Sequence, residues 1–217
     1  MKYSLSLIDN VPAVLSSNGK YFLLDTGSPN SFSNTGSIEI GGTHYSAPTS
    51  LGKVTADYLC TKMHNSEIGG LLGMDIISRA IYEFDYPNMM LGVISFNAEI
   101  IENAVEVLNL SYVMSIPIIS VQTSAMSQPV KFILDTGAKL SYVIPEICES
   151  LQDIGTDIDF SPLIEDNLEV IKYSDLSYKV GAVSFQHVVH EAPGVTRTVK
   201  QLGTHGILGY HLSLIHI

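Results

Sequence analysis

Two aspartates in this chain could perform acid/base chemistry, because each ends an apolar segment and opens a tight turn. The turns are Asp25-Thr26-Gly27 and Asp135-Thr136-Gly137, after the apolar runs 21–24 and 132–134. Each is followed downstream by a second matched motif, 70–73 (Gly-Leu-Leu-Gly) and 206–209 (Gly-Ile-Leu-Gly). Two carboxyl groups held face to face could take a proton from water and give one to a carbonyl oxygen. The pattern therefore indicates two half-sites for hydrolysis of an amide bond.

A single Asp-Thr-Gly would be weak evidence, since Asp and Gly favour ordinary turns after strands. Here the flanks match as well: the copies read YFLLDTGSPNSFS and VKFILDTGAKLSYV. An ordinary turn does not explain the paired glycine motifs downstream. The sequence therefore predicts an internal repeat of about 100 residues.

Length and composition agree with two small packed lobes. The chain has 217 residues, 46% hydrophobic and 15% charged, which argues against disorder. We expect an N-terminal lobe over 1–100, a short connector over 101–110 and a C-terminal lobe over 111–217. Only eight residues follow Gly209, so the second lobe is expected to be C-terminally truncated, without the helix and strand that follow Gly73 in the first.

The charge pattern argues against several partners. The formal net charge is −11 and there is no Lys/Arg block, so nucleic acid and an anionic membrane surface are not expected partners. No apolar stretch is long enough to span a bilayer. The N-terminus lacks the apolar core of a secretory signal, so we expect a cytoplasmic protein; secretion stays open if the N-terminus is incomplete.

No cofactor or metal is expected. Cys60 and Cys148, one in each proposed lobe, show no zinc-ligand spacing. Two free thiols are the first interpretation, and a disulfide between the lobes is the alternative. His187 and His190 form an HxxH pattern on an apparent strand, where alternation would separate them. His205 is interpreted as a loop histidine that could approach the cleft.

Strand patterns dominate the chain. Predicted strands include 3–8, 11–15, 21–24, 38–40, 43–45, 54–59, 89–96, 112–121, 130–134, 176–180 and 183–189. Asn18-Gly19 predicts a hairpin turn with positive φ at both residues. Residues 74–84 and 145–151 are predicted short helices. Residues 153–169 are interpreted as an acidic insertion, with Asp153, Asp157 and Asp159 on a solvated face.

These residues resemble the aspartic peptidase clan, which includes pepsin-like two-lobed enzymes and retropepsin-like proteases. The resemblance covers nearly the whole chain and rests on LLDTGSPNSFS, GGLLGMDIISRAIYEFDYPNMML and their second copies. It implies a mostly β, two-lobed acid-protease fold of closed β units with a few short helices. It also implies an aspartic-type endopeptidase acting on polypeptide, without a cofactor.

The resemblance assigns roles residue by residue. Asp25 and Asp135 would be the catalytic pair. The supporting turn residues would be Thr26 and Thr136, which cross-brace the turns, Gly27 and Gly137, which allow close approach, and Ser28 and Ala138. Ser28 would hydrogen-bond near the carboxylates and Ala138 could not, so we expect this brace on one side only. The hairpin at Gly41-Gly42, with Tyr45, is the candidate substrate flap; a plain surface hairpin is the alternative.

Alternatives to this function and to a monomer are open to the same residues. A non-catalytic relative could bind peptide or protein in the cleft, but it would need neither aspartate. A monomer is expected, and further dimerisation is an alternative. Ser31, Ser33 and Ser141 lack a Gly-x-Ser-x-Gly elbow and a histidine partner, which argues against serine hydrolysis. Asp75 and Asp85 are expected to cap or end local structure.

Overall fold

The computed structural model describes residues 1–94, 107–161 and 165–209, without the side chains of 165 and 166. Backbone contacts divide the chain into two units, Met1–Ile100 and Ile101–His211. Most of the predicted connector and the expected truncation after Gly209 lie outside the described residues. Within them, the expectation of a mostly β chain in two units with a few short helices is confirmed.

The described elements of the first unit are β1 (Lys2–Ile8), β2 (Val11–Leu15), β3 (Tyr21–Leu24), β4 (Phe32–Ser33), β5 (Ser37–Ile40), β6 (Thr43–Ser46), α1 (Ala56–Lys62), β7 (Ile68–Leu72), α2 (Met74–Ile77), β8 (Ile81–Asp85) and β9 (Met90–Ile94). Its main sheet has the strand order β4-β7-β3-β2-β1-β9-β8, and β5 and β6 form a separate two-stranded hairpin.

The described elements of the second unit are β10 (Ser111–Val113), β11 (Ile116–Thr123), β12 (Val130–Leu134), β13 (Tyr142–Val143), α3 (Pro145–Cys148), β14 (Asp153–Ser161), β15 (Glu165–Val180), β16 (Val183–Glu191), α4 (Pro193–Gln201) and β17 (Gly206–Leu208). Its strands form one described sheet in the order β10-β11-β12-β17-β13-β16-β15-β14. In addition, the end of β11 pairs with β15.

Both units bury the strand that precedes the Asp-Thr-Gly turn. Phe22 and Leu24 are 1% and 0% exposed, and Phe132 and Leu134 are 0% and 6% exposed. These apolar runs lie inside each sheet, between two neighbouring strands, and their burial is typical of a strand covered on both faces. Strands β3 and β12 have the bounds that the sequence predicted, so each aspartate follows a rigid, buried element.

The predicted strand over 54–59 is wrong, because this segment contains the start of helix α1. Thr55 is the N-cap, and its hydroxyl accepts a hydrogen bond of 3.1 Å from the Tyr58 N–H. Ala56 and Leu59, three residues apart, face the core, which is helical rather than strand spacing. The apolar residues in this segment fit both the strand period and the helix period, and the Thr55 cap favours the helix.

We expect Thr55→Ala to destabilise the protein by about 1 kcal/mol, because it removes the hydroxyl that satisfies the first turn of α1. Urea unfolding, with the slope held common, measures this change. Thr61→Ala is the matched control, since the Thr61 hydroxyl only donates back to the Asp57 carbonyl within the helix. Equal losses in the two variants would contradict the capping role.

Other boundaries differ for local reasons. The predicted helix over 74–84 ends at Ile77, and β8 begins at Ile81. The predicted strand over 112–121 is two strands joined by a tight turn, in which Met114 and Ser115 have φ of 52° and 68°. At Asn18-Gly19 only the glycine has positive φ. The predicted helix over 145–151 ends earlier, at Cys148.

Candidate active site

Each candidate aspartate follows a strand whose neighbour runs parallel to it. The Asp25 N–H donates to the Leu72 carbonyl over 2.9 Å, and the Asp135 N–H donates to the Leu208 carbonyl over 3.0 Å. These bonds extend the parallel pairings β3–β7 and β12–β17 by one residue. The downstream glycine motif therefore fixes the backbone of the aspartate in each unit.

Backbone N–H groups hold both carboxylates within their own turns. Asp25 Oδ1 accepts from the Ser28 N–H over 2.9 Å. Asp135 Oδ1 accepts from the Gly137 and Ala138 N–H groups over 2.8 Å and 3.1 Å. Such donors stabilise the ionised form of a carboxyl group. Both aspartates are half-buried, so they combine a fixed orientation with access to a small reactant.

Ser28 hydrogen-bonds the Asp25 carboxylate, as expected, but the expectation that such a brace exists on one side only is wrong. The Ser28 hydroxyl donates to the Asn30 carbonyl over 2.8 Å, and it is the Ser28 backbone N–H that bonds Asp25. Ala138 supplies the same backbone donor to Asp135. A side-chain hydroxyl is therefore unnecessary at this position, and the two turns are supported alike.

The threonines of the two turns are buried, Thr26 at 9% exposure and Thr136 at 6%. Their expected role, a contact between the two hydroxyls, stays a prediction, as do the roles of Gly27 and Gly137 in close approach. Burial of a hydroxyl next to each aspartate fits a structural function better than substrate contact, since buried polar groups are normally hydrogen-bonded.

The glycine motifs are in the same register in both units. Gly70 lies opposite Phe22 on one side and Ser33 on the other; Gly206 has the same relation to Phe132 and Val143. A Cβ on Gly70 would lie 2.1 Å from the Phe32 carbonyl oxygen. A Cβ on Gly206 would lie 2.3 Å from the Tyr142 carbonyl oxygen. The glycines are thus needed where two backbones cross closely.

The candidate flap exists as a hairpin. Gly41 and Gly42 form its tip with φ of 63° and 73°, where L side chains are strained. The Gly41 N–H donates to the Tyr3 hydroxyl over 2.8 Å, and a Cβ on Gly42 would meet the Met1 side chain at 2.7 Å. The tip is therefore fastened to β1, and a flap movement would have to break these contacts. The flap role of Gly41, Gly42 and Tyr45 stays a prediction.

The acidic segment after α3 forms strand β14, which pairs with β15 and is exposed over most of its length. Asp153 is exposed, as expected, but Asp157 and Asp159 are half-buried on the inner face, opposite Val170 and Leu168, which are 0% and 6% exposed. The Tyr142 hydroxyl donates to Asp159 over 2.5 Å. This inner face holds β14 against the strand that follows the second turn. No local sequence pattern indicates the pairing of Tyr142 with Asp159, which are 17 residues apart.

A buried histidine, His190, joins β14 to the strand after the second turn. It is 4% exposed, its Nε2 lies 3.0 Å from Asp157 Oδ2, and its Nδ1 lies 3.3 Å from the Ser141 carbonyl oxygen. Hydrogen bonding to His190, and secondly to Lys172, lowers the pKa of Asp157 below its ordinary value. The neighbouring His187 instead pairs with the Tyr178 hydroxyl.

A lowered pKa makes the Asp157 contribution to stability depend on pH. It is present above the unfolded value of about 3.9 and is lost as the pH falls through the lower folded-state pKa. We expect Asp157→Asn to cost about 0.5 kcal/mol at pH 7, since Asp157 is partly exposed and screened, and progressively less as the pH falls through the lowered pKa of Asp157.

Thermal unfolding of both proteins between pH 2 and pH 7 measures this difference. Glu146→Gln is the control for an ion pair that lies at the surface. Glu146 is exposed and pairs with Lys200, and the hydrogen bond from this lysine lowers the pKa of Glu146. A constant difference between Asp157→Asn and the parent at every pH would show that the carboxylate charge contributes nothing.

Three other candidate residues, His205, Asp85 and Asp75, have defined hydrogen-bond partners. His205 Nδ1 accepts from the Lys131 N–H, at the opposite end of β12 from Asp135, so His205 does not approach the turn. Asp85 ends β8 by accepting from the Asn88 N–H, as expected. Asp75 does not cap α2, whose N-cap is Gly73; it accepts from the Ser31 hydroxyl.

Both cysteines are free thiols. Cys148 is buried, and burial raises its pKa to about 12, so it is unreactive as a nucleophile. Among the described residues, no group of three or more His, Cys, Asp or Glu side chains could hold a metal ion. Nor does any helix in the described part of the chain have the length and apolarity needed to cross a membrane.

Comparison with known proteins gives little beyond this geometry. No family model matches the chain, and no curated protein matches it. The crystal structure of an aspartic proteinase from Irpex lacteus is similar at a TM-score of 0.43 and 13% identity, with 98% of this chain and 92% of that chain covered. A likeness of this degree assigns no residue, so the site rests on the repeat within the chain itself.

Proposed function

We propose that the chain is an aspartic-type endopeptidase that hydrolyses peptide bonds in polypeptides, with Asp25 and Asp135 as its catalytic pair. One observation supports this above all: two separate units build the same carboxylate turn. Each aspartate accepts from N–H groups of its own turn and donates its N–H to the corresponding leucine of the glycine motif. A single structural turn would not require this duplication.

The proposed chemistry requires the two turns to share one site. Two carboxyl groups at close range cannot both ionise at low cost, so they hold one proton between them and titrate as a coupled pair. The ionised group removes a proton from a water molecule, whose oxygen attacks the scissile carbonyl carbon. The protonated group donates to the carbonyl oxygen, giving a tetrahedral diol.

Breakdown of the diol completes the reaction. As the C–N bond breaks, the ionised aspartate takes a proton from a hydroxyl of the diol and the protonated aspartate gives its proton to the leaving nitrogen. The products are a carboxylic acid and an amine. The pair returns to its starting state with one shared proton. The chain's own contribution is orientation: the N–H donors of residues 28, 137 and 138 keep each carboxylate in place throughout.

A peptide-library digest from pH 3 to pH 7 tests the proposal. We expect cleavage of internal peptide bonds with a bell-shaped pH dependence, because one carboxyl must be ionised and the other protonated. A peptide analogue carrying a hydroxyl at the scissile carbon, which mimics the diol, should inhibit it. Peptides that bind without being cleaved at any pH would favour the alternative, a non-catalytic peptide-binding module.

A further inference from the structure

A buried serine lies six residues after each candidate aspartate. Ser31 is 0% exposed and Ser141 is 1% exposed. The Ser31 hydroxyl oxygen accepts from the Gly73 N–H over 2.8 Å, and the Ser141 hydroxyl oxygen accepts from the Gly209 N–H over 3.0 Å. Both units therefore use a buried hydroxyl at the same point of the repeat.

In each unit, a single peptide group of the glycine motif forms hydrogen bonds with both the aspartate and the serine. In the first unit, the carbonyl of the Leu72–Gly73 peptide accepts from the Asp25 N–H, and its N–H donates to Ser31. In the second, the Leu208–Gly209 peptide lies in the same way between Asp135 and Ser141. A peptide group is planar and rigid, so fixing its N–H also fixes the carbonyl that holds the aspartate.

We propose that Ser31 and Ser141 are positioning residues for the catalytic aspartates, acting through this peptide plane. The inference rests on the proposed function. Each hydroxyl keeps the plane from turning, and the plane keeps the aspartate backbone in register with the glycine motif. The carboxylate, which is tied to its own turn, moves with that backbone.

Close packing explains why a small hydroxyl fills this place. A Cβ on Gly73 would lie 2.5 Å from the Asn30 carbonyl oxygen, and one on Gly209 would lie 2.5 Å from the Leu140 carbonyl oxygen. The backbone just before each serine therefore packs directly against the glycine and keeps water away from the glycine N–H. A buried N–H without a partner is costly, and the serine supplies that partner.

The first unit orients its serine further. The Ser31 hydroxyl donates to Asp75 Oδ1 over 2.5 Å, which turns its oxygen lone pairs toward the Gly73 N–H. The position two residues after Gly209 lies outside the described residues. Asp75 is exposed, so it offers a way to loosen Ser31 without altering the core.

Kinetics of Ser31→Ala and Ser141→Ala test the proposal, with Ser33→Ala as the matched control. Ser33 is as buried as Ser31, but its hydroxyl pairs with Thr35 rather than with a turn peptide. We expect kcat to fall about 10–100-fold in the first two variants, because a small misplacement of a catalytic group slows the reaction. KM should stay within about twofold, and the acid limb of the pH profile should shift. Ser33→Ala should leave all three close to the parent.

Amide hydrogen exchange gives a readout that needs no activity. We expect Ser31→Ala to speed exchange at Asp25 and not at Asp135, and Ser141→Ala to do the reverse. If Ser31→Ala does not fold, Asp75→Ala should produce the same local effect at Asp25 with a smaller size. Exchange at Asp25 that stays as protected as in Ser33→Ala would overturn the positioning role.

The two proposals can fail separately. If the parent protein cleaves no peptide under any condition, the proposed peptidase function fails, and the exchange pattern alone decides whether the serines hold the aspartate backbones. If the parent cleaves peptides but the serine variants match Ser33→Ala in kcat, KM and exchange, the peptidase function stands and the positioning role is wrong.

Discussion

Asp25→Asn is expected to lower kcat by about 10³-fold or more, since general acid/base catalysis by a positioned group contributes about 10²–10⁴-fold. The side chains have the same shape, and an asparagine oxygen can still accept from the Ser28 N–H. The amide, however, neither takes nor gives a proton at the pH of the assay. The fold should therefore remain while the reaction stops.

Steady-state kinetics with one cleavable peptide, together with circular dichroism, measure this result. Asp135→Asn should lose as much activity, and the double variant should lose no more than either one, because the two groups act as a unit. Asp57→Asn is the control, an exposed carboxylate on α1 of the same unit. Undiminished cleavage by Asp25→Asn would end the assignment of the pair.

Gly70→Ala and Gly206→Ala are expected to destabilise their units by about 3–5 kcal/mol, at the upper end of single-substitution effects. The added Cβ would lie 2.1 Å and 2.3 Å from backbone carbonyl oxygens of Phe32 and Tyr142. Backbone cannot move aside as a flexible side chain can, so the crossing of strands β4 on β7 and β13 on β17 would have to open. Activity should be lost with the fold.

Calorimetry and urea unfolding of each variant measure the loss. Gly19→Ala is the control, because a Cβ there meets nothing within 4 Å and only its φ of 78° opposes the change; we expect about 1–2 kcal/mol there. A loss at Gly70 no larger than at Gly19 would show that the strands can separate at low cost.

The sequence was sufficient for the centre of each unit. The runs before Asp25 and Asp135 are short, continuously apolar and bounded by turn residues, and both became buried strands with the predicted bounds. The sequence predicted the glycine motif as a repeat, and β7 and β17 repeat in matching register; that these motifs form strands beside β3 and β12 was not predicted. Local composition was enough here because a short apolar run between turn residues is typical of a strand that is buried on both faces.

Elsewhere, contacts from distant residues or single caps decided the outcome. Residues 54–59 fit strand spacing until the Thr55 cap is seen. The turn at Met114-Ser115 has positive φ at both residues but carries no Gly, Asn or Asp, the residues that favour positive φ, so local rules did not predict it. Helix α4 was missed although Pro193 at its start and the pair Val195 and Val199 gave a usable signal. The partners of Asp157 and Asp159 come from other strands and leave no local pattern.

Strands β7 and β17 pair with strands that come much earlier in the chain, and this order affects folding during synthesis. In the first unit, β7 lies between β3 and β4 although it follows them by more than 30 residues; in the second, β17 enters between β12 and β13 after more than 60. Such distant pairings fold slowly. As the chain leaves the ribosome, the strands around Asp25 can pair once Leu72 has emerged, although β9 must still join β1. In the second unit, the edges of β12 and β13 that face β17 stay unpaired until Leu208 has emerged. Chaperone demand during synthesis should therefore fall mainly on the second unit.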